Sequence, residues 1–146
     1  MKRYSTLFLL LSIAIYGLAC TNLIVGKKAS ADGSVMCTYS CDDYGMFIKM
    51  QSFAAGKHTK GEMRKIVHWE TGKYMGEIPE APETYNVIGN INEWQVTIGE
   101  TTFGGREEMC DTTGLLDYGT MIGLALQRSR TAREAIKVLT SLAETY

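Results

Sequence analysis

The chain has 146 residues, 45% of them hydrophobic, with only 2 prolines and a formal net charge of −1. That is enough apolar material for one core and excludes a disordered chain. The near-neutral balance, with no basic run and no basic stripe interleaved with aromatics, excludes a nucleic-acid binder.

The N-terminus has the grammar of an export signal. Lys2 and Arg3 form a charged start, and Leu7 to Ile15 is an apolar run too short to span a bilayer. Gly17 and Ala19 are then the small residues at −3 and −1 of a cut before Cys20. Residues 1–19 are thus expected to be a signal peptide and the mature chain to begin at Cys20. Such a protein is exported, to a periplasmic or extracellular compartment where disulfides are possible. A lipoprotein signal also ends before a cysteine but favours leucine at −3, where this chain has Gly17. Lipid anchoring through Cys20 therefore stays open as a competing reading.

"TNLIVGK" after Cys20 and "VMCTY" before Cys41 read as two strands of a hairpin. A loop centred near Ser30 sets Cys20 across from about Cys41. A two-residue turn at Asp32-Gly33 sets it across from about Gly45 instead. "MFIKMQSF" and "RKIVHWE" are further strand candidates, separated by the polar loop "AAGKHTKGE". "TGKYMGEIPEAPET", which holds both prolines, reads as a long loop. In "YNVIGNINEWQVTIGETT", Val87 and Ile88 lead into a turn at "NINEW", and Val96 and Ile98 return as a hairpin.

The last third is helical. Asp117 caps a helix from about Tyr118 to Ser129, with Met121, Leu124, Ala125 and Arg128 on one stripe. Thr131 and Glu134 form a capping box for a second helix, whose apolar face is Ile136, Leu139, Leu142 and Ala143. The short link makes the two an antiparallel hairpin. Strands first and helices last predict an α+β fold. The chain stops at Tyr146 inside a good helix, which suggests a piece of a longer domain.

Several residues can carry chemistry. A mature N-terminal Cys20 would place a thiol nucleophile and an α-amine base, of intrinsic pKa about 8, on one residue. Asp42 and Asp43 are adjacent carboxylates of which a strand turns only one toward Cys20; that one would orient the α-ammonium, unless both belong to a solvated turn. Cys37 and Cys41 lie about 13 Å apart along a strand, too far for a disulfide with each other. Cys110 is free to pair with either or with neither, and small buried thiols are the plain reading. His58 and His68 lack metal-ligand spacing, so no metal is expected. In "GETTFGGR" the hydroxyls Thr101 and Thr102 precede Gly104-Gly105 and Arg106. This is either a backbone that closes on a ligand or an ordinary glycine turn.

Together, "CTNLIVGKKASADGSV", "CDDYG", "NEWQVTIGETTFGGR" and "LLDYGTMIGLALQRSRTAREAIKVL" resemble, in the same order, the N-terminal part of the secreted cysteine dipeptidases of the N-terminal-nucleophile hydrolase superfamily. The resemblance implies a four-layer αββα sandwich, with the cysteine at the start of a central strand, and residues 20–146 as the N-terminal part of that domain. It implies hydrolysis of dipeptides and other short peptides through a thioester on Cys20, with no cofactor. Asp42 or Asp43 matches the acid that supports the amine, and Thr101, Thr102 and Arg106 fall in the substrate and oxyanion region. Related acylases often carry an arginine shortly before that acid, whereas "TYSCDD" has none. Amides other than peptides therefore remain an alternative substrate class, beside the alternative of a lipid-anchored binding protein. Later asparagine and arginine positions of the superfamily would lie past Tyr146, so a fragment ending there is expected to be inactive.

Overall fold

The computed structural model describes residues 20–42, 50–101, 105–111 and 113–146. The signal-peptide expectation for 1–19 and the first half of "MFIKMQSF" lie outside them. The chain divides into two compact units. Among described residues, unit one comprises 20–42 and 99–101, and unit two comprises 50–98, 105–111 and 113–146.

Unit one is an antiparallel hairpin of β1 (Thr21–Val25) and β2 (Met36–Ser40). Its register pairs Thr21 with Ser40, Asn22 with Tyr39 and Val25 with Met36. The loop between them is held by its own polar groups. Ala29 N donates to Gly26 O at 2.9 Å, Ser34 N to Asp32 Oδ1 at 2.9 Å and Ser30 Oγ to Ser34 O at 2.7 Å. The centre of symmetry falls beside Ser30, as the longer-loop reading expects. A two-residue turn at Asp32-Gly33 does not form.

Unit two contains three small sheets and a helical hairpin. β3 (Ser52–Phe53), β8 (Val87–Ile88) and β9 (Ile91–Asn92) make one antiparallel sheet in the order β3-β8-β9. β4 (Gly56–Lys57) pairs with β7 (Glu83–Thr84), and β5 (Met63–Val67) with β6 (Tyr74–Pro79). The loop expected over "TGKYMGEIPEAPET" is therefore partly strand. Its signal was obscured by a bulge: Ile66 pairs with Gly76 and Val67 with Tyr74, so Met75 is the extra residue. Met75 and Ile78 then both reach the core, which breaks the two-residue period. Pro79 is tolerated because it sits at the end of a strand paired on one side only. The expected Val87–Ile98 hairpin is instead a meander. It turns first at Gly89-Asn90, then at residues 93–95, bringing Thr97 back against Ile91.

α1 (Tyr118–Gln127) and α2 (Ala132–Thr145) match the predicted helices. Asp117 caps the first, its Oδ1 accepting from Thr120 N at 2.7 Å. Thr131 caps the second by accepting from Glu134 N at 3.2 Å. The Glu134 carboxylate reaches back to Arg130 N at 2.7 Å, one residue beyond the usual capping-box partner. Packing is antiparallel: Leu126 meets Ala135 in one cluster, and Leu124 meets Leu142 in another. The buried stripe of α2 thus runs through Ala135, Val138 and Leu142 rather than starting at Ile136, which is 60% exposed.

The two clusters are the core of unit two. Ile66, Ile78, Leu124 and Leu142 form one; Val87, Val96, Leu126 and Ala135 form the other. Burying each large aliphatic side chain contributes about 1.5–3 kcal/mol. Asn92 seals α1 from below. Its Nδ2 donates to Leu126 O and Ser129 O at 2.8 and 2.7 Å, and its Oδ1 accepts from Trp94 N and Val96 N at 3.0 Å each. Strands and helices together make the chain α+β.

Candidate active site

β1 begins where the cysteine of interest sits. Continuing the hairpin register one step beyond Thr21–Ser40 sets Cys20 opposite Cys41. Alternation along the strands then gathers Cys20 and Asn22 with Tyr39 and Cys41 on one face. Their polar groups meet. The Cys41 thiol is pushed up by burial, drawn down by a hydrogen bond with Tyr39, and pushed up again by the facing Cys20 thiol and by Glu100. Tyr39 is likewise held well above the ordinary phenol range by burial and by its hydrogen bonds to Glu100 and Cys41.

The segment 99–101 supplies the far side of the cluster. Tyr39 OH donates to Glu100 Oε2 at 3.1 Å, and Asn22 Nδ2 donates to Glu100 O at 2.6 Å. Thr101 Oγ1 donates to the backbone oxygen of Cys20 at 3.1 Å, fixing the start of β1. Gly99 is where backbone closes on side chain, since a Cβ there would collide with the Asn22 carboxamide oxygen. That oxygen is buried and has no hydrogen-bond partner among the described residues.

Asp42 is exposed, and its Oδ2 accepts from Ser40 Oγ at 3.4 Å. Ser40 also binds the backbone of Thr21, on the hairpin face that does not carry Cys20. Asp43 and Thr102 lie outside the described residues. Arg106 belongs to unit two, exposed at the start of a short 3-10 turn over Glu107–Met109. Cys20 and Thr101 are thus brought together. Asn22, Tyr39, Cys41 and Glu100 join them without having been singled out for a role at the site. Strand parity from Cys20 was enough to find Asn22, and hairpin register to find Tyr39 and Cys41. Glu100 had only its place inside "GETT" to mark it.

The remaining candidates have structural company. Cys37 and Cys110 are exposed, so the buried-thiol reading does not hold for them; all four cysteines are free thiols. His58 bonds Glu62 at 2.8 Å and Thr84 at 3.0 Å, and the His68 ring accepts from the backbone of Glu70 and Thr71. No three His, Cys, Asp or Glu side chains gather as a metal site among the described residues. No described helix is long and apolar enough to cross a membrane. Unit two has a cleft of about 200 Å³ whose lining includes Arg64, His68, Trp69 and Thr120. Arg64 there is already engaged by Glu80 at 3.2 Å and lies 5.5 Å from the Phe53 ring centroid.

No solved structure matches the chain. A family model does, described as Peptidase family C69 and aligned over residues 19–146, nearly the whole sequence. The match begins one residue before Cys20, so it takes in both the hairpin and the helical unit, and the chain belongs to peptidase family C69.

Proposed function

We propose that the mature protein is an exported cysteine-type dipeptidase whose nucleophile is Cys20, on an N-terminal-nucleophile hydrolase fold of four αββα layers. The observation that carries the reading is the position of Cys20. It heads β1 directly after the signal-like segment, its carbonyl is pinned by Thr101, and its thiol lies in a polar cluster within a chain of a peptidase family.

The chemistry follows from having two groups on one residue. Removal of residues 1–19 frees the α-amine of Cys20, which takes the thiol proton as sulfur attacks the scissile carbonyl. The tetrahedral oxygen needs donors; the Thr101 hydroxyl is already given to the Cys20 carbonyl, so the next hydroxyl in sequence, that of Thr102, is the candidate. Collapse expels the amine product, protonated by the Cys20 ammonium, and leaves an acyl thioester. Water, deprotonated by the same amine, then releases the acid. Of the two carboxylates, Asp43 is the one left to hold the ammonium form, because Asp42 is exposed and engages Ser40 on the face that does not carry Cys20. The Asn22 oxygen, two residues along the Cys20 face and without a partner among the described residues, is a candidate second acceptor.

The test uses the exported protein. Intact mass should place its first residue at Cys20 with a free amine, and a panel of dipeptides should be cleaved in preference to N-acyl amides. Cys20→Ser should lower dipeptide hydrolysis by about 10³-fold or more, in line with loss of a covalent nucleophile. An acylated or signal-bearing N-terminus, or undiminished hydrolysis by the serine variant, would falsify the assignment.

A further inference from the structure

The thiol facing Cys20 has no part in that reaction, and its position is unusual. Directly opposed residues of an antiparallel pair have Cβ atoms about 4.5–5.5 Å apart and Cα atoms about 4.5–5.5 Å apart. A disulfide needs Cα atoms within about 4.4–6.8 Å, with Cβ atoms a little closer than the open pair. Continued register places Cys20 and Cys41 at such opposed positions, near enough for the Cys20 thiol to push up the pKa of Cys41. Both are free and partly exposed, so a small reagent can reach them. Cys37 pairs with Ile24, four residues down the strand from Cys41, and Cys110 belongs to the other unit.

We infer that Cys20 and Cys41 form a reversible cross-strand disulfide, a modification site that withdraws the nucleophile while the hairpin keeps its register. The oxidant is a small-molecule disulfide, RSSR. The Cys20 thiolate attacks one sulfur of RSSR, forming a mixed disulfide and expelling RS⁻. The Cys41 thiolate then attacks the Cys20 sulfur, closing the protein disulfide and expelling the second RS⁻. The two protons lost by the cysteines end on the two RSH products, so the protein dithiol is oxidised as RSSR is reduced. Burial and the adjacent Cys20 charge keep Cys41 protonated at the start, which suits it to the second, resolving step.

The link itself is independent of the proposed function; only its effect on hydrolysis rests on Cys20 being the nucleophile. The full chain is equilibrated in a series of glutathione buffers, its free thiols are alkylated, and it is digested with chymotrypsin. Cleavage after Tyr39 separates Cys37 from Cys41. A linked Cys20–Cys41 peptide pair, two hydrogens lighter, should rise from about one tenth to about nine tenths of the protein along the series. Dithiothreitol should reverse it. In Cys41→Ser, Cys20 should end as a glutathione mixed disulfide, while Cys37→Ser should leave the linkage unchanged. Cys20 that stays alkylatable throughout, or that links to Cys37 or Cys110, overturns the inference. In the exported enzyme the oxidised form should lose at least about tenfold in dipeptide hydrolysis, regained on reduction. Linkage with hydrolysis unchanged would leave the disulfide standing and overturn the role of Cys20.

Discussion

Unit one and unit two are built on opposite terms. Every fully buried apolar side chain among the described residues belongs to unit two. In unit one, Leu23, Ile24, Val35 and Met36 are 49–71% exposed, and no described residue is fully buried. The hairpin that carries Cys20 is held by register, by hydrogen bonds that it donates to Glu100 and by one that it accepts from Thr101. The helical unit is held by its clusters and by buried polar clamps. Changes in unit one should therefore register in chemistry, and changes in unit two in stability.

The widest separation of the two readouts is expected at Cys20. Cys20→Ala should remove dipeptide hydrolysis by several orders of magnitude. It deletes one sulfur from a partly exposed site, so the stability should change by no more than the roughly 0.5 kcal/mol typical of surface changes. A large fall in melting temperature would show that the hairpin supports the fold after all, and would erase the contrast.

Asn92→Ala should behave in the reverse way. It strips four hydrogen bonds from a residue that is 4% exposed and leaves the Leu126 and Ser129 carbonyls without a donor. The expected cost is about 3 kcal/mol, or roughly 10 °C in Tm. Well below the new transition, the rate of Cys20 alkylation should equal that of the parent chain.

These two residues also mark what the sequence discloses. The sequence left two registers open for the hairpin, set by two possible turns, and the observed register chooses the one that puts Cys20 across from Cys41. Both helix caps were legible, because a cap is a contact over three residues. Asn92 was legible only as part of a turn, since its partners lie 34 and 37 residues away. Glu100 was hidden for the same reason: its bonds reach back 61 and 78 residues, to Tyr39 and Asn22. β6 was misread because a bulge and two prolines erased its period. In α2 the buried stripe is set by where Leu124 and Leu126 of α1 lie, so Ile136, apolar and well spaced, ended outside it. Local rules recovered elements and pairings, whereas contacts over long separations decided which side chains matter.

Glu80 gives unit two a pH signature built on a buried side chain. Its side chain is 5% exposed and bonds Arg128 at 2.9 Å, Arg64 at 3.2 Å and Ala81 N at 2.9 Å. Burial alone would raise its pKa, but these donors outweigh burial and hold it below the ordinary 4.5. A carboxyl depressed on folding contributes its stability above the unfolded value and loses it as pH falls through the folded value. The chain should therefore lose stability from about pH 4.5 downward. Glu80→Gln should cost about 2 kcal/mol at neutral pH and flatten that acid limb. Equal acid limbs in variant and parent would remove Glu80 from the account.

The smallest expected effect lies at the joint between β1 and segment 99–101. Thr101→Val keeps the side-chain shape and deletes the one hydroxyl bond to the Cys20 carbonyl. About 1 kcal/mol is at stake, equivalent to roughly fivefold in rate. That loss should appear in kcat for dipeptide hydrolysis and in the rate of Cys20 alkylation, with the melting temperature of the chain unmoved. Thr101→Ser, which restores the donor, should recover both rates. If Val and Ser behave alike, the hydroxyl does not position Cys20, and hairpin register alone holds the head of β1.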